Sequence, residues 1–220
     1  MNLVQKIFLS LFLFLFFFGF SQDDPQKYRE DQIYFSVYYN SLGGELNNFK
    51  ENKFSSSFNL GFIRDIPISK SRKFALGIGL GYGLNSFNNN LLLNNQNSYS
   101  LMSNRAMSKK NTFNFSEIQI PLEIRWRNSS PTTYKFWRIY AGLKYSKVLT
   151  STFKHESLME NYNLQSFPVN KDQLGLTLNI GFNTWNIGLY KSLRPFFNKK
   201  IDSLPRELEQ FKLGLVFYIL

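Results

Sequence analysis

The segment FALGIGLGYG (Phe74–Gly83) alternates with a period of two. Phe74, Leu76, Ile78, Leu80 and Tyr82 share one face of an extended chain. Ala75, Gly77, Gly79, Gly81 and Gly83 share the other. A solvated sheet face would carry Lys and Glu where these small residues stand. Small residues instead leave room for side chains from the far wall of a narrow barrel, whose interior is filled by them. The string is not a phosphate loop, because it lacks the G-x-G-x-x-G spacing and a following helix. A second segment repeats the arrangement, with Gln173, Gly175, Thr177, Asn179 and Gly181 opposite Leu174, Leu176, Leu178, Ile180 and Phe182.

Period-two alternation predicts eight strands, near 33–42, 54–66, 72–85, 113–127, 136–149, 172–182, 184–191 and 210–219. Most match the nine to eleven residues that a tilted strand needs to cross a membrane. The connections near 43–53, 86–112, 150–171 and 192–209 are long, polar and rich in Asn, Ser and Lys. Those near 67–71, 128–135 and 183 are short, and two carry proline (Pro67, Pro131). Long loops outside alternating with short periplasmic turns are the pattern of outer-membrane barrels. The fold class is therefore all-β, an eight-stranded antiparallel up-and-down transmembrane β-barrel with a filled lumen.

Both ends of the chain agree. Lys6 precedes an apolar run, Ile7–Phe20, and the small residues Gly19 and Ser21 suit cleavage before Gln22. The run is too short to span a bilayer comfortably as a helix. Residues 1–21 are expected to be a cleaved signal peptide and 22–220 a single outer-membrane barrel domain. At the other end FKLGLVFYIL (Phe211–Leu220) reads as a closing strand. Lys212, Gly214, Phe217 and Ile219 match the spacing of the C-terminal signal read by the bacterial barrel-assembly machinery, an expected partner during biogenesis.

There is no cysteine, which excludes a lipoprotein, a disulfide scaffold, thiol catalysis and Cys-containing metal sites. With one histidine, neither a metal site nor a cofactor is expected. The net charge of +11 suits solvated loops and lumen, or a surface that attracts anionic lipid or polyanions. Nucleic acid is not an expected partner behind an export signal; outer-membrane lipid is.

The polar faces carry the remaining charge. Glu117, Gln119, Glu123 and Arg125 face inward from the fourth strand, Arg138, Tyr140 and Lys144 from the fifth, and Lys212 and Tyr218 from the eighth. Folding the fourth and fifth strands about Pro131 predicts Glu123 opposite Tyr140 and diagonal to Arg138. It also predicts Gln119 opposite Lys144, which is diagonal to Glu117. Glu117, Glu123, Arg125, Arg138, Lys144 and Lys212 are thus expected to form a charge-paired network in the lumen, since unpaired charges there would be costly.

The segment SEIQIPLEIRW (Ser116–Trp126), followed by IYAGLKYSKVL (Ile139–Leu149), resembles the PorT-type outer-membrane β-barrel family common in Bacteroidetes. Glu117, Ile120, Pro121, Leu122 and Arg125 hold the matching places. The name-giving member belongs to the type IX secretion and gliding machinery, so the resemblance implies other outer-membrane or type IX secretion proteins as partners. Pro121 removes a ladder hydrogen bond, and a bulge is expected there.

Two loop features complete the reading. His155 lies beside Glu156 and Ser157, with Ser151 and Glu160 nearby. His155, Ser157 and Glu160 have the composition of a serine hydrolase site such as lipid A deacylases use. The string FKHESLMEN reads instead as a solvated or helical loop. Leu91–Leu93, in the long Asn-rich loop, is expected to belong to a mobile extracellular loop; the alternatives are that the exposed trio packs over the barrel mouth or touches another protein. Arg105, Lys109 and Lys110 could there touch lipid phosphates. The expected function is that of a non-catalytic integral outer-membrane protein, in envelope integrity or as a small subunit of a secretion or transport assembly. A lipid A-modifying enzyme and a narrow channel are the alternatives.

Overall fold

A computed structural model of the chain describes residues 31–44, 49–51, 53–69, 71–93, 99–101, 108–128, 136–158, 160–198 and 208–219. The expected signal peptide and its cleavage point lie outside these residues. Eight strands build a closed antiparallel barrel: β1 (Gln32–Gly43), β2 (Ser56–Pro67), β3 (Phe74–Asn88), β6 (Ser108–Arg127), β7 (Trp137–Ser157), β9 (Asp172–Phe182), β10 (Trp185–Ser192) and β11 (Glu209–Ile219). Each pairs with its sequence neighbour in the barrel, and β11 closes on β1 from Ile33↔Ile219 to Gly43↔Glu209. Three short strands stand at the end that carries the long connections. These are β4 (Leu91–Leu93), paired with β5 (Tyr99–Leu101), and β8 (Asn161–Leu164), which folds back on β7.

Alternation decides which face meets lipid. Ile33, Phe35, Leu60, Leu80, Ile120, Ile139, Ile180, Ile187 and Leu215 point outward and are exposed, whereas Tyr34, Asn59, Gln119, Tyr140, Asn179 and Lys212 are buried inside. A membrane barrel requires this inversion of the water-soluble pattern. The glycines on the inner face make space for neighbours, as Tyr34 shows. Its ring lies over Gly61 on β2, and its hydroxyl passes Gly81 on β3 to donate to Gln119 Oε1 on β6 at 3.4 Å. A Cβ at either glycine would overlap the phenol. At the short-turn end Asn183 adopts φ 55° between β9 and β10, a left-handed conformation that Asn tolerates in a two-residue turn.

The longest strands outrun the barrel. β6 and β7 continue pairing past the outermost β7–β9 rung, Lys147↔Asp172, as far as Ser108↔Ser157. A bulge at Leu149, between the pairs Ser116↔Thr150 and Glu117↔Val148, reverses the facing of β7. Even-numbered residues of β7 face inward up to Val148; beyond it Phe153 and His155 do. The expected bulge at Pro121 is not the one observed. There the β3 ladder lapses between Ile78↔Leu122 and Gly81↔Gln119 without a change of register, because a missing N–H removes a bond but adds no residue.

The extensions and loops enclose a second core over the barrel mouth. Phe87, Leu91, Leu93, Phe113, Phe115, Phe153, Phe167, Phe196 and Phe197 are among its buried members. Phe113 sits centrally, 4.6 Å from Phe153, 5.1 Å from Phe167 and 5.8 Å from Phe197 between ring centroids. Of the alternatives for Leu91–Leu93, packing over the mouth is the one observed. Leu91 and Leu93 are 0% exposed, so they do not form an exposed patch. The segment expected as a solvated or helical loop at 153–161 is a β7–β8 hairpin, with His155↔Tyr162 as one of its rungs.

Candidate functional site

Two side-chain assemblies stand out, one inside the bore and one in the mouth. In the bore, Asp65 on β2 accepts from Arg125 Nη1 and Arg127 Nη1, both on β6. Arg125 Nη2 also donates to Gln32 Oε1 on β1 at 2.5 Å. Its Nε lies 3.5 Å from Glu123, and its guanidinium carbon 3.8 Å from the centroid of Tyr140. One carboxylate on β2 thus ties two buried guanidinium groups of β6 across the intervening strand β3. Charge-assisted bonds of this kind are the strong ones, provided that every member is partnered.

The predicted lumen residues are all inside, but not paired as expected. Glu123 stands opposite Gly142, Arg125 opposite Tyr140, and Gln119 opposite Ser146. The β6–β7 register is two residues away from the one predicted about Pro131. Arg125 and Glu123 are brought together, while Glu117 accepts from Gln119 Nε2 at 2.7 Å. The other cations meet aromatic faces. Lys144 lies 4.5 Å from the Tyr190 centroid and Arg138 4.5 Å from that of Phe136. Lys212 donates to Asn85 Oδ1 at 2.5 Å. Asp65, Arg127 and Gln32 were missed. Ile63 breaks the polar run on β2, yet Asp65 shares the facing of Asn59 and Gly61, and that was the available signal.

The four assembly-signal positions divide by face. Lys212 is internal, and Phe217 is external, with its ring 4.8 Å from Trp185 and 6.3 Å from Phe35. Ile219 is exposed opposite Ile33, while a Cβ at Gly214 would strike the backbone of β1 at Val37 and Tyr38.

In the mouth, His155 Nδ1 donates to Asn111 Oδ1 at 2.6 Å, and Asn111 Nδ2 donates to the Leu91 carbonyl at 3.0 Å. Tyr162, its ring tilted against that of His155 with centroids 5.0 Å apart, donates to the Leu93 carbonyl at 2.8 Å. These bonds tie β4 to the hairpin. Ser157 Oγ donates to the Glu160 carbonyl and accepts the Glu160 N–H, at 2.7 and 2.8 Å, which closes the β7–β8 turn. Ser151 bonds the backbone of Phe167 at 3.3 Å. His155 therefore faces the core, and Ser157 serves the turn. Arg105, and the side chains of Lys109 and Lys110, lie outside the described residues.

Burial holds the His155 pKa below its ordinary 6.5, against a smaller opposing effect of Glu160. The folded state thus binds fewer protons than the unfolded state on acidification. Its contribution is complete above about pH 6.5 and is lost as pH falls toward the depressed folded value. Protection factors of the β4 and β8 amides, taken against the intrinsic exchange rate at each pH, are expected to fall from pH 7 to pH 5 in the wild type. His155→Gln should flatten that profile, and an unchanged slope would remove His155 as its cause.

The sequence matches the family model described as outer membrane protein beta-barrel domain over residues 20–198. The chain belongs to this outer-membrane barrel family. Its place is accordingly the outer membrane. No curated protein matches the chain. Among solved structures it is similar to Ail, the attachment invasion locus protein of Yersinia pestis, in complex with the heparin analogue sucrose octasulfate. That match has 11% identity and a TM-score of 0.39, covering 88% of this chain and 100% of that one. The same Yersinia pestis protein without that compound matches with 11% identity and a TM-score of 0.38, at the same coverage. Its backbone structure in a phospholipid nanodisc matches with 12% identity and a TM-score of 0.32, over 86% of this chain and 100% of that one.

Proposed function

We propose that this barrel is a non-catalytic, non-conducting protein of the outer membrane, acting in envelope integrity or as a small subunit of a secretion or transport assembly. Two observations support the reading. The Asp65–Arg125–Arg127 cluster lies within the bore, and a phenylalanine-rich core sits over its mouth. The part taken by His155 in anchoring β4 favours a structural role for the loop that alternatively suggested a hydrolase. The PorT-type resemblance of Ser116–Trp126 supports the assembly-subunit form.

A loop-tagged version purified from native outer membranes in mild detergent is expected to bring down a stoichiometric outer-membrane partner. In planar bilayers the same material should show no steady conductance. Steady channel currents, or altered lipid A acylation in Ser157→Ala cells, would overturn the reading in favour of a channel or an enzyme.

A further inference from the structure

The outward side of the barrel changes character at the loop end. On β2, β3, β6 and β7 a shallow notch there is lined by Ser56, Ser86, Asn114, Thr150 and Thr152 together with Phe58 and Leu84. On the β7–β9–β10 side the rim carries charged residues. Lys147 Nζ and the Tyr145 hydroxyl both donate to Asp172 Oδ1, at 2.8 and 2.6 Å. Arg194 Nη1 donates to the Asp172 backbone carbonyl at 3.2 Å. Lys171 and Arg194 line a groove of about 660 Å³ together with Ser166, Asn170 and Asn198.

The groove is built rather than incidental. Its walls, 166–172 and 193–198, are joined by the bonds Asn170 N–Phe196 O (2.9 Å), Asn198 N–Pro168 O (3.1 Å) and Leu193 N–Leu174 O (2.7 Å). Phe167, Val169 and Phe197 anchor those walls in the mouth core. The backbone bond of Arg194 uses one of five guanidinium N–H groups and neutralises no charge. Among the described residues neither Arg194 nor Lys171 is in an ion pair; Asp172, which also lines the groove, is paired with Lys147 and lies near enough to Arg194 to attract it. Toward the membrane on the same outer face stand exposed Leu176 and Phe211, on a rung that also carries the Lys191–Glu209 pair, with exposed Leu193 at the lip of the groove.

Cations presented from a rigid groove above lipid-facing aliphatic side chains suit a molecule with a phosphate at that height and acyl chains below it. We propose that the Lys171–Arg194 groove, flanked by Lys147, binds the phosphate-bearing headgroup of an outer-leaflet lipid and orients the barrel in the membrane. The bordering apolar side chains assign the phosphate to a lipid rather than to a soluble anion.

The test uses the full-length barrel in phosphatidylcholine nanodiscs doped with bisphosphorylated or dephosphorylated lipid A, with retained lipid counted by native mass spectrometry. The wild type is expected to retain the phosphorylated form selectively. Lys171→Gln combined with Arg194→Gln should lower that retention about tenfold, as loss of charge-assisted bonds to phosphate implies. Dephosphorylated lipid should not respond. Lys171→Gln alone, at an exposed position, should give a smaller loss in the same direction, and a heat-shifted gel band checks that each variant is folded. Equal retention by wild type and folded variants would overturn the site. Equally tight binding of tripolyphosphate by the detergent-solubilised barrel would overturn its assignment to lipid.

Discussion

Replacing Asp65 with Ala should destabilise the barrel by about 3–5 kcal/mol, the usual cost of removing one partner from a buried ion pair. Arg125 and Arg127 share that carboxylate at the short-turn end of the bore, and all three side chains are essentially inaccessible to solvent. The loss comes mainly from leaving guanidinium charge without its anion in a low-dielectric interior, not from the attraction itself. Removing the charge as well should therefore recover stability. Asp65→Ala combined with Arg127→Met, which keeps the Arg125–Glu123 pair, is expected to be more stable than Asp65→Ala alone, although one partner more has gone. Urea unfolding in detergent, followed by tryptophan fluorescence and by heat-shifted mobility in gels, reads both variants. A single variant within about 1 kcal/mol of wild type, typical of an unremarkable site, would show that the cluster does not brace the bore.

The second large effect belongs to the mouth. Phe113→Ala should cost about 3–5 kcal/mol, as truncation of a fully buried phenylalanine does. Its ring touches members of three other segments, Phe153, Phe167 and Phe197, so no single neighbour can collapse into the space. The damage should be local. Hydrogen exchange is expected to rise in β4, β8 and the 166–172 and 193–198 walls, while the β1–β11 ladder stays protected. Uniform loss of protection would mean that mouth and barrel unfold together. No change at all would mean that the phenylalanine core is not what holds the mouth.

The errors in reading this chain have a common source. The β6–β7 register was two residues out, although every residue involved was placed on its correct face. A slip of two leaves the inside and outside sets unchanged, so alternation cannot detect it; a slip of one would have turned Glu123 and Arg125 toward lipid. Asp65 was visible in principle through its facing, but its partners lie on β6, two strands away around the wall. His155 could not be oriented from its neighbours, because the bulge at Leu149 reverses the facing between Val148 and Phe153.

The mouth core was hidden for another reason. Phe87, Phe113, Phe153, Phe167 and Phe196 belong to strand extensions and loops that share no common period. Nothing local distinguishes such a phenylalanine from one in a solvated loop. Their burial is a consequence of several connections converging on one end, which only closure of the barrel brings about.

Residue alternation specifies the eight barrel strands, their inward and outward faces below the Leu149 bulge, the alternation of long and short connections and the antiparallel order. Each of these follows from a period of two and from chain neighbours pairing with one another. The tertiary structure alone decided which lumen charges meet, how β4 is tied to the β7–β8 hairpin, and where cations gather on the outer rim. Those contacts join residues remote along the chain. Their formation depends on register and curvature, to which residue alternation is indifferent.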